Sequence, residues 1–374
     1  WAPRRPTPSA CLSPHSIAVA PFRSTSRRAG LLALCPILIN NDCPKLPALG
    51  DVPFLPAVKE RPQVPGFEEV GMLNALVWAL ACFGVVAADI ALSIVLFSAL
   101  DIVSALTGFP IDNLDIQWFQ AAAQTASFLM ALLWWSYLWP RSFMARRQGE
   151  RPLGGGANAA WKRIACVVVI GLSMQVVISY LCDGVLSLLP EVAADYSELV
   201  EETGMGDTNL LAVLTTVLGA PFCEELLVRG VIFEFSLRAF NPQCRPLSKR
   251  RRRASAQDGA MVPWAAPSAR GIAAAIVLQA AIFGFMHMNW VQGCYAGAAG
   301  IIFGWVLVTT GKLRYTILLH FAFNAGSYLM GLLWFVNTPL DVVITVTIAG
   351  IILVETMRSL CHACETGIAT APLP

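Results

Sequence analysis

Six polar side chains suited to hydrolysis lie within long apolar stretches of this 374-residue chain: Glu224, Glu225, Arg229, His287, His320 and Asn324. A charge in hydrocarbon costs about 2.5–3.5 kcal/mol on insertion scales, and building a membrane helix does not require one. Two carboxylates, a guanidinium, two imidazoles and an amide together indicate a buried hydrolytic site.

Two of these residues, Glu225 and Arg229, are four apart with the acid first, so on a helix they face each other across one turn. Glu224 points about 100° away around the same helix and has no partner there. Two neighbouring carboxylates in different environments commonly separate acid and base roles. The alternative is a structural ion pair that joins two spans, which explains Glu225 and Arg229 but not Glu224.

The remaining candidate residues are two histidines and an asparagine in two other apolar stretches. His287 ends one apolar stretch, four residues after Phe283, and taken alone it is also typical of a packing residue. His320 and Asn324 are four apart, so they project together and suit donation of two hydrogen bonds to one oxyanion. The alternative for this pair is a polar clamp between helices. The presence of all three motifs in separate stretches favours a site.

The composition predicts a membrane protein that holds these residues on helices. The chain is 56% hydrophobic and 13% charged, against about 25% charged for a soluble domain. A net charge of +2 gives no sign of a nucleic-acid partner. We predict an all-α, polytopic fold with the lipid bilayer as partner and about eight spans of about 20 residues or more each, near residues 73–100, 118–138, 164–188, 209–236, 271–289, 294–311, 314–336 and 340–357.

The loop charges predict an orientation for these spans. Loops 139–163 and 241–270 are rich in Arg and Lys, whereas loops 107–117 and 189–208 carry acids and no base. Basic loops stay on the cytoplasmic side, so the pattern predicts N-in, C-in topology. We also predict a plasma-membrane location and an active-site cavity that faces the cytoplasm. The glycine-rich stretch Gly293–Gly304 predicts close packing of the sixth span.

Three regions follow from this division of the chain. Residues 1–66 are rich in proline, basic, and without acid before Asp42, which predicts a disordered extension. The first methionine is Met72, so one hypothesis is that part of this segment lies upstream of the true start. Residues 67–358 are the predicted membrane domain with a catalytic core at 209–336, and residues 359–374 are a predicted short cytoplasmic tail.

The ordered motifs resemble those of the CAAX-protease and bacteriocin-processing (CPBP, or Abi) family of intramembrane endopeptidases, relatives of the Ras-converting CAAX endopeptidase. They read E-E-x-x-x-R at 224–229, F-x-x-x-H at 283–287 and H-x-x-x-N at 320–324. The resemblance covers roughly residues 209–336, and the spacings show no obvious departure from the family.

The resemblance implies a role for each residue. Glu224 and His287 would activate a water for attack on the scissile amide, and His320 and Asn324 would bind the oxyanion. Glu225 and Arg229 would support the first glutamate. We expect a metal-free mechanism without a cofactor; if the enzyme is instead a metalloprotease, the zinc ligands would be Glu224, His287 and His320.

The predicted function is therefore hydrolysis of a peptide bond in a membrane-associated peptide or protein, lipidated or bearing a leader. Two alternatives from other classes stay open. A transporter would use the same groups as a polar relay, and Asp89 and Asp183 in predicted spans are not explained by the protease. A non-catalytic scaffold of the same fold would bind peptides without cleaving them.

Overall fold

The computed structural model describes part of the chain, namely residues 67–108, 116–145, 153, 156–204, 207–244, 267–333 and 335–365. The predicted extension at residues 1–66 and residues 366–374 of the predicted tail lie outside the described residues. Much of the basic loop 241–270 lies outside them as well.

The described residues form helices and no strands, which confirms the all-α prediction. Nine helices of 14 residues or more are found in this part of the chain: α1 Phe67–Thr107, α2 Ile116–Leu138, α3 Gly156–Leu186, α4 Pro190–Thr203, α5 Leu210–Phe240, α6 Ala269–Met286, α7 Trp290–Thr310, α8 Leu313–Leu329 and α9 Pro339–Glu365. Helix α4 lies within the acidic loop 189–208, and α9 continues into the segment predicted as a tail.

Local sequence explains where several helices begin and end. The side chains of Asn209, Ser268 and Asn289 each accept a hydrogen bond from a backbone N–H of the first turn, at α5, α6 and α7. Such N-caps satisfy donors that the helix itself leaves free. Helices α4 and α7 end at Gly204 and Gly311, whose φ values of 64° and 67° are left-handed, a conformation that glycine adopts without strain.

Among the described residues, seven helices are long and apolar enough to cross a membrane, and they coincide with seven of the eight predicted spans. Helix α2 covers the remaining one and carries three glutamines, but it is not among the seven. Two of these glutamines bind backbone carbonyls at the C-terminal end of α4: Gln117 Nε2 donates to Gly204 O at 3.0 Å and Gln120 Nε2 to Thr203 O at 2.9 Å. That α2 spans the membrane, and that both termini are cytoplasmic, remain predictions.

Helix α5 is the central element of the described bundle. Within its most apolar window 56% of the residues are buried, against 17% in α1 and 6% in α9. It packs against α1, α2, α6 and α8. Polar side chains on α5 are therefore surrounded by protein and not by lipid, which removes much of the cost of placing charge in a membrane.

The backbone of α5 changes its hydrogen-bond pattern on either side of Pro221. Residues Thr215–Gly219 and Glu225–Ile232 are π-helical, and Ala220 N–H bonds to Thr215 O, five residues back. The next bond in that pattern would come from residue 221, but proline has no N–H. The carbonyl of Thr216 is thus left for another donor, and π turns of this kind are frequent at functional sites.

Asp89, which the protease hypothesis left unexplained, has a partner in the bundle. Ser127 Oγ of α2 donates to Asp89 Oδ1 of α1 at 2.5 Å. The carboxylate therefore links the first two helices, as a polar group inside a helical membrane protein commonly does.

Candidate active site

Glu225 and Arg229 form the predicted ion pair at the centre of the bundle. Arg229 Nη1 donates to Glu225 Oε1 at 2.9 Å, and both side chains are fully buried. The guanidinium also lies on two aromatic faces, 4.3 Å from the Phe283 ring centre and 4.9 Å from that of Phe303. A cation held by a carboxylate and two rings provides a rigid base for the rest of the site.

His320 of α8 joins the pair through its Nδ1 atom. This nitrogen lies 2.9 Å from Glu225 Oε1, so one carboxylate oxygen accepts from both the guanidinium and the imidazole. An ionised carboxylate can only accept, and therefore Nδ1 carries the proton and Nε2 points away. The ring of His320 packs on Phe303 at 4.9 Å between centres, which fixes its plane.

Glu224 approaches a histidine on another helix. Its Oε2 atom lies 3.8 Å from His320 Nε2, which is too long for a direct hydrogen bond but close enough for one water to bond to both atoms. The Glu224 side chain is 28% exposed, whereas that of Glu225 is fully buried. The two adjacent glutamates thus occupy different environments: Glu225 anchors His320, and Glu224 is partly exposed but has a buried Oε2 atom without a protein partner.

His287 lies at the edge of this group. It caps the C-terminus of α6, and its Nδ1 is 2.8 Å from Phe283 O, so Nδ1 carries the proton and Nε2 is the acceptor. Phe283 contacts both imidazoles edge-on, His287 at 4.9 Å and His320 at 6.0 Å. Within the described residues no ion pair of 4.0 Å or less joins His287 to Glu224, and the water-mediated link between them remains a prediction.

Asn324 lies one turn beyond His320 and has a backbone partner. Its Nδ2 donates to Thr216 O at 2.8 Å, the carbonyl that Pro221 leaves free. In the part of the chain described, no hydrogen bond joins Asn324 to His320 or to either glutamate. The amide fastens α8 to the π turn of α5 and keeps a second N–H available.

Within the part of the chain described, no group of three or more His, Cys, Asp and Glu is placed to hold a metal ion. Of the three candidate zinc ligands, His320 uses Nδ1 on Glu225 and His287 uses Nδ1 on a backbone carbonyl. These bonds leave both Nε2 atoms free, which is also how zinc-binding histidines are oriented. The metal-free mechanism therefore stays a prediction.

Several polar atoms in the site have no protein partner. They are Glu224 Oε2, Glu225 Oε2, Arg229 Nε and Arg229 Nη2, and they are buried. Sequence reasoning missed Phe303 and Thr216, which contact the site from α7 and α5. The glycine-rich stretch 293–304 was a signal that α7 packs closely, but it did not identify the ring at residue 303.

One comparison with known proteins gives a match. Residues 206–326 match the family described as "Type II CAAX prenyl endopeptidase Rce1-like", and the matched segment contains all six predicted site residues. No curated protein and no solved structure matches the chain. Residues 206–326 of this chain, whose described residues include seven apolar helices of membrane length, therefore match the Rce1-like, CAAX-protease family.

Proposed function

We propose that this protein is an intramembrane endopeptidase that hydrolyses a peptide bond near the end of a membrane-associated peptide. The observation that carries the proposal is the 3.8 Å gap between Glu224 Oε2 and His320 Nε2. One side of the gap is the buried, unpaired Oε2 atom of a partly exposed glutamate, and the other is an imidazole fixed through Glu225 and Arg229. A structural ion pair would require neither the gap nor the exposure.

In the proposed mechanism Glu224 is the general base. A water bound to its carboxylate gives up a proton as the oxygen attacks the scissile carbonyl carbon, and such assistance is worth about 10²–10⁴-fold. His287 supports the same water, because its Nε2 is left as an acceptor when Nδ1 binds Phe283 O. The proton on Glu224 then passes to the leaving amine as the C–N bond breaks.

The oxyanion is stabilised by His320 and Asn324. His320 acts as an imidazolium, with Nδ1–H on Glu225 and Nε2–H directed to the oxyanion. Its positive charge balances a buried group that otherwise contains two carboxylates and one guanidinium, and an uncompensated buried charge is strongly unfavourable. Asn324 gives its second amide N–H while the first holds Thr216 O. Donors fixed in advance need no reorganisation during the reaction.

The substrate we propose is a prenylated C-terminal peptide, because the matched family is described as prenyl endopeptidases. The apolar helices allow a lipid chain to stay in the bilayer while the peptide enters the site. The predicted orientation places the cavity on the cytoplasmic side, where cysteine labelling of substituted cavity residues tests its exposure.

The test compares the full chain with Glu224→Gln after reconstitution into phosphatidylcholine vesicles. The probe is a farnesylated peptide with a C-terminal C-a-a-X sequence, and mass spectrometry detects the released fragment. We expect the wild-type protein to cleave it and Glu224→Gln to be at least 100-fold slower, the lower limit for loss of a general base. Glu355→Gln, at an exposed position of α9, is the matched control and should cleave at the wild-type rate.

A second arm uses the same peptide without the prenyl group. A third arm compares the C-termini of membrane-associated peptides that are newly formed in membranes containing the wild-type protein or Glu224→Gln. Cleavage of both peptides would support the peptidase and remove the prenyl requirement. Absence of fragments from both proteins, with identical C-termini in the third arm, would favour a binding scaffold. Equal cleavage by wild-type and Glu224→Gln would refute Glu224 as the general base.

A further inference from the structure

Gln279 lies one turn before the F-x-x-x-H motif and on the same face of α6 as Phe283 and His287. Its side chain is fully buried. Nε2 donates to Ile276 O at 3.0 Å and to Gly300 O at 2.8 Å. Because only the nitrogen can donate to carbonyls, these two bonds fix the amide orientation and turn Oε1 the other way. Oε1 is buried and has no protein partner.

Arg229 approaches the same segment of α7. A Cβ at Gly300 would lie 3.3 Å from Arg229 Nη2, and a Cβ at Gly304 would lie 2.7 Å from Gln279 Nε2. A Cβ at Gly300 would also lie 3.1 Å from Ala280 Cα, so α6 and α7 pack closely at this point. Both polar side chains thus reach Gly300, Arg229 through Nη2 and Gln279 through its hydrogen bond to Gly300 O.

The unpaired atoms of the two side chains are complementary. Arg229 Nε and Nη2 are donors without a partner, and Gln279 Oε1 is an acceptor without one. Buried polar groups in native proteins are almost always satisfied, by protein or by ordered water. No direct hydrogen bond joins the two side chains among the described residues, and a buried water with about three polar partners is a stable arrangement.

We propose that Gln279 is a positioning residue of the active site, which holds the Arg229 guanidinium through one bound water. Arg229 fixes Glu225, and Glu225 fixes His320, so the proposal rests on the function proposed above. The motif on α6 then reads Q-x-x-x-F-x-x-x-H, with the amide, the ring and the imidazole contacting one site.

The test measures kcat and KM on the farnesylated peptide for Gln279→Met, which keeps the volume and removes the amide. We expect kcat to fall about 10- to 100-fold, the range for loss of one hydrogen bond to a charged group, while KM changes less than threefold. The control is Gln117→Met, a buried glutamine on α2 whose two amide atoms bind Gly204 O and Thr215 Oγ1. It should lower the unfolding midpoint similarly and leave kcat unchanged.

A double-mutant cycle with Arg229→Lys tests whether Gln279 acts on the site through Arg229. Residues that act through one another have non-additive effects, so Gln279→Met should reduce kcat much less in the Arg229→Lys background than in the wild type. Gln117→Met should show no such coupling. Additive effects, or wild-type kcat in Gln279→Met, would overturn the proposal.

Gln279→Leu gives the same decision should Gln279→Met not fold, because it also removes both amide atoms. We expect the same loss of kcat, and wild-type kcat in Gln279→Leu would overturn the proposal. In every arm an active wild-type protein is the reference, so inactivity of the wild type refutes the proposed function and not the role of Gln279.

Discussion

The buried pair of Glu225 and Arg229 contributes to both stability and activity. Two variants of this pair allow the two contributions to be measured separately. Arg229→Met removes the guanidinium and leaves a fully buried carboxylate whose remaining partner is His320. The double variant Glu225→Met with Arg229→Met removes both charges and keeps most of the volume. We expect the double variant to be more stable than Arg229→Met, and we expect both variants to be inactive.

The magnitudes follow from the geometry. At 2.9 Å and an effective dielectric constant of about 20, the attraction is about 6 kcal/mol before the cost of desolvation. Removal of one partner of a buried pair costs about 3–5 kcal/mol, whereas replacement of both by apolar groups is often close to neutral. The double variant still leaves His320 Nδ1 without its acceptor, which costs about 1–3 kcal/mol. The double variant should therefore be more stable than Arg229→Met by about 2 kcal/mol.

The assay is unfolding in dodecylmaltoside micelles titrated with SDS and followed by far-UV circular dichroism, beside cleavage of the farnesylated peptide. We expect both variants to be inactive, because neither retains the complete Arg229–Glu225–His320 chain. The control is Arg358→Met in the ion pair with Glu355, whose side chains are 32% and 60% exposed. An exposed pair is worth about 0–1 kcal/mol, so this variant should keep both stability and activity.

Two results would refute the reasoning. A cost for Arg229→Met no larger than that of Arg358→Met would show that the central pair is not desolvated as described. Wild-type kcat in the double variant would show that His320 does not need the Glu225 carboxylate, and the proposed origin of its orientation would then be wrong.

Two further predictions concern packing and metal dependence. Gly171→Ala on α3 should cost about 1–3 kcal/mol and lower activity, because its Cβ would lie 2.6 Å from Leu319 O on the helix that carries His320. Gly184→Ala on the same helix meets nothing within 4 Å and should be neutral or stabilising by up to about 1 kcal/mol; equal destabilisation of both, measured by the same SDS titration, would contradict this packing. A saturating zinc chelator should change the cleavage rate by no more than about twofold relative to the untreated protein, because no catalytic metal is needed to lower the pKa of the attacking water. Loss of activity that added zinc restores would make the water-activation scheme wrong.

The sequence by itself determined the eight helices that cover the predicted spans and the contacts within them, but not helix α4 in the acidic loop. Apolar stretches of membrane length set seven spans, since hydrophobicity over about 20 residues is a local property. The pairing of Glu225 with Arg229 follows from the four-residue period of a helix. The order of the three motifs, carried by separate helices, predicted the family that residues 206–326 match.

Contacts between helices were not determined in this way. The local pattern does not predict two contacts between α5 and α8. The first is His320 with Glu225, which leaves the gap to Glu224, and the second is Asn324 with the Thr216 carbonyl. The second contact requires the π turn before Pro221, and the first requires α5 and α8 to pack at one particular register.

Gln279 and Gly300 illustrate the same limit, since neither belongs to a motif and their roles depend on how closely α6 and α7 approach. Residues 95 positions apart, such as Glu225 and His320, meet only where side-chain volumes and buried hydrogen bonds of several helices are satisfied together. That condition is a property of the packed bundle, and so the tertiary structure decided the chemistry of the site.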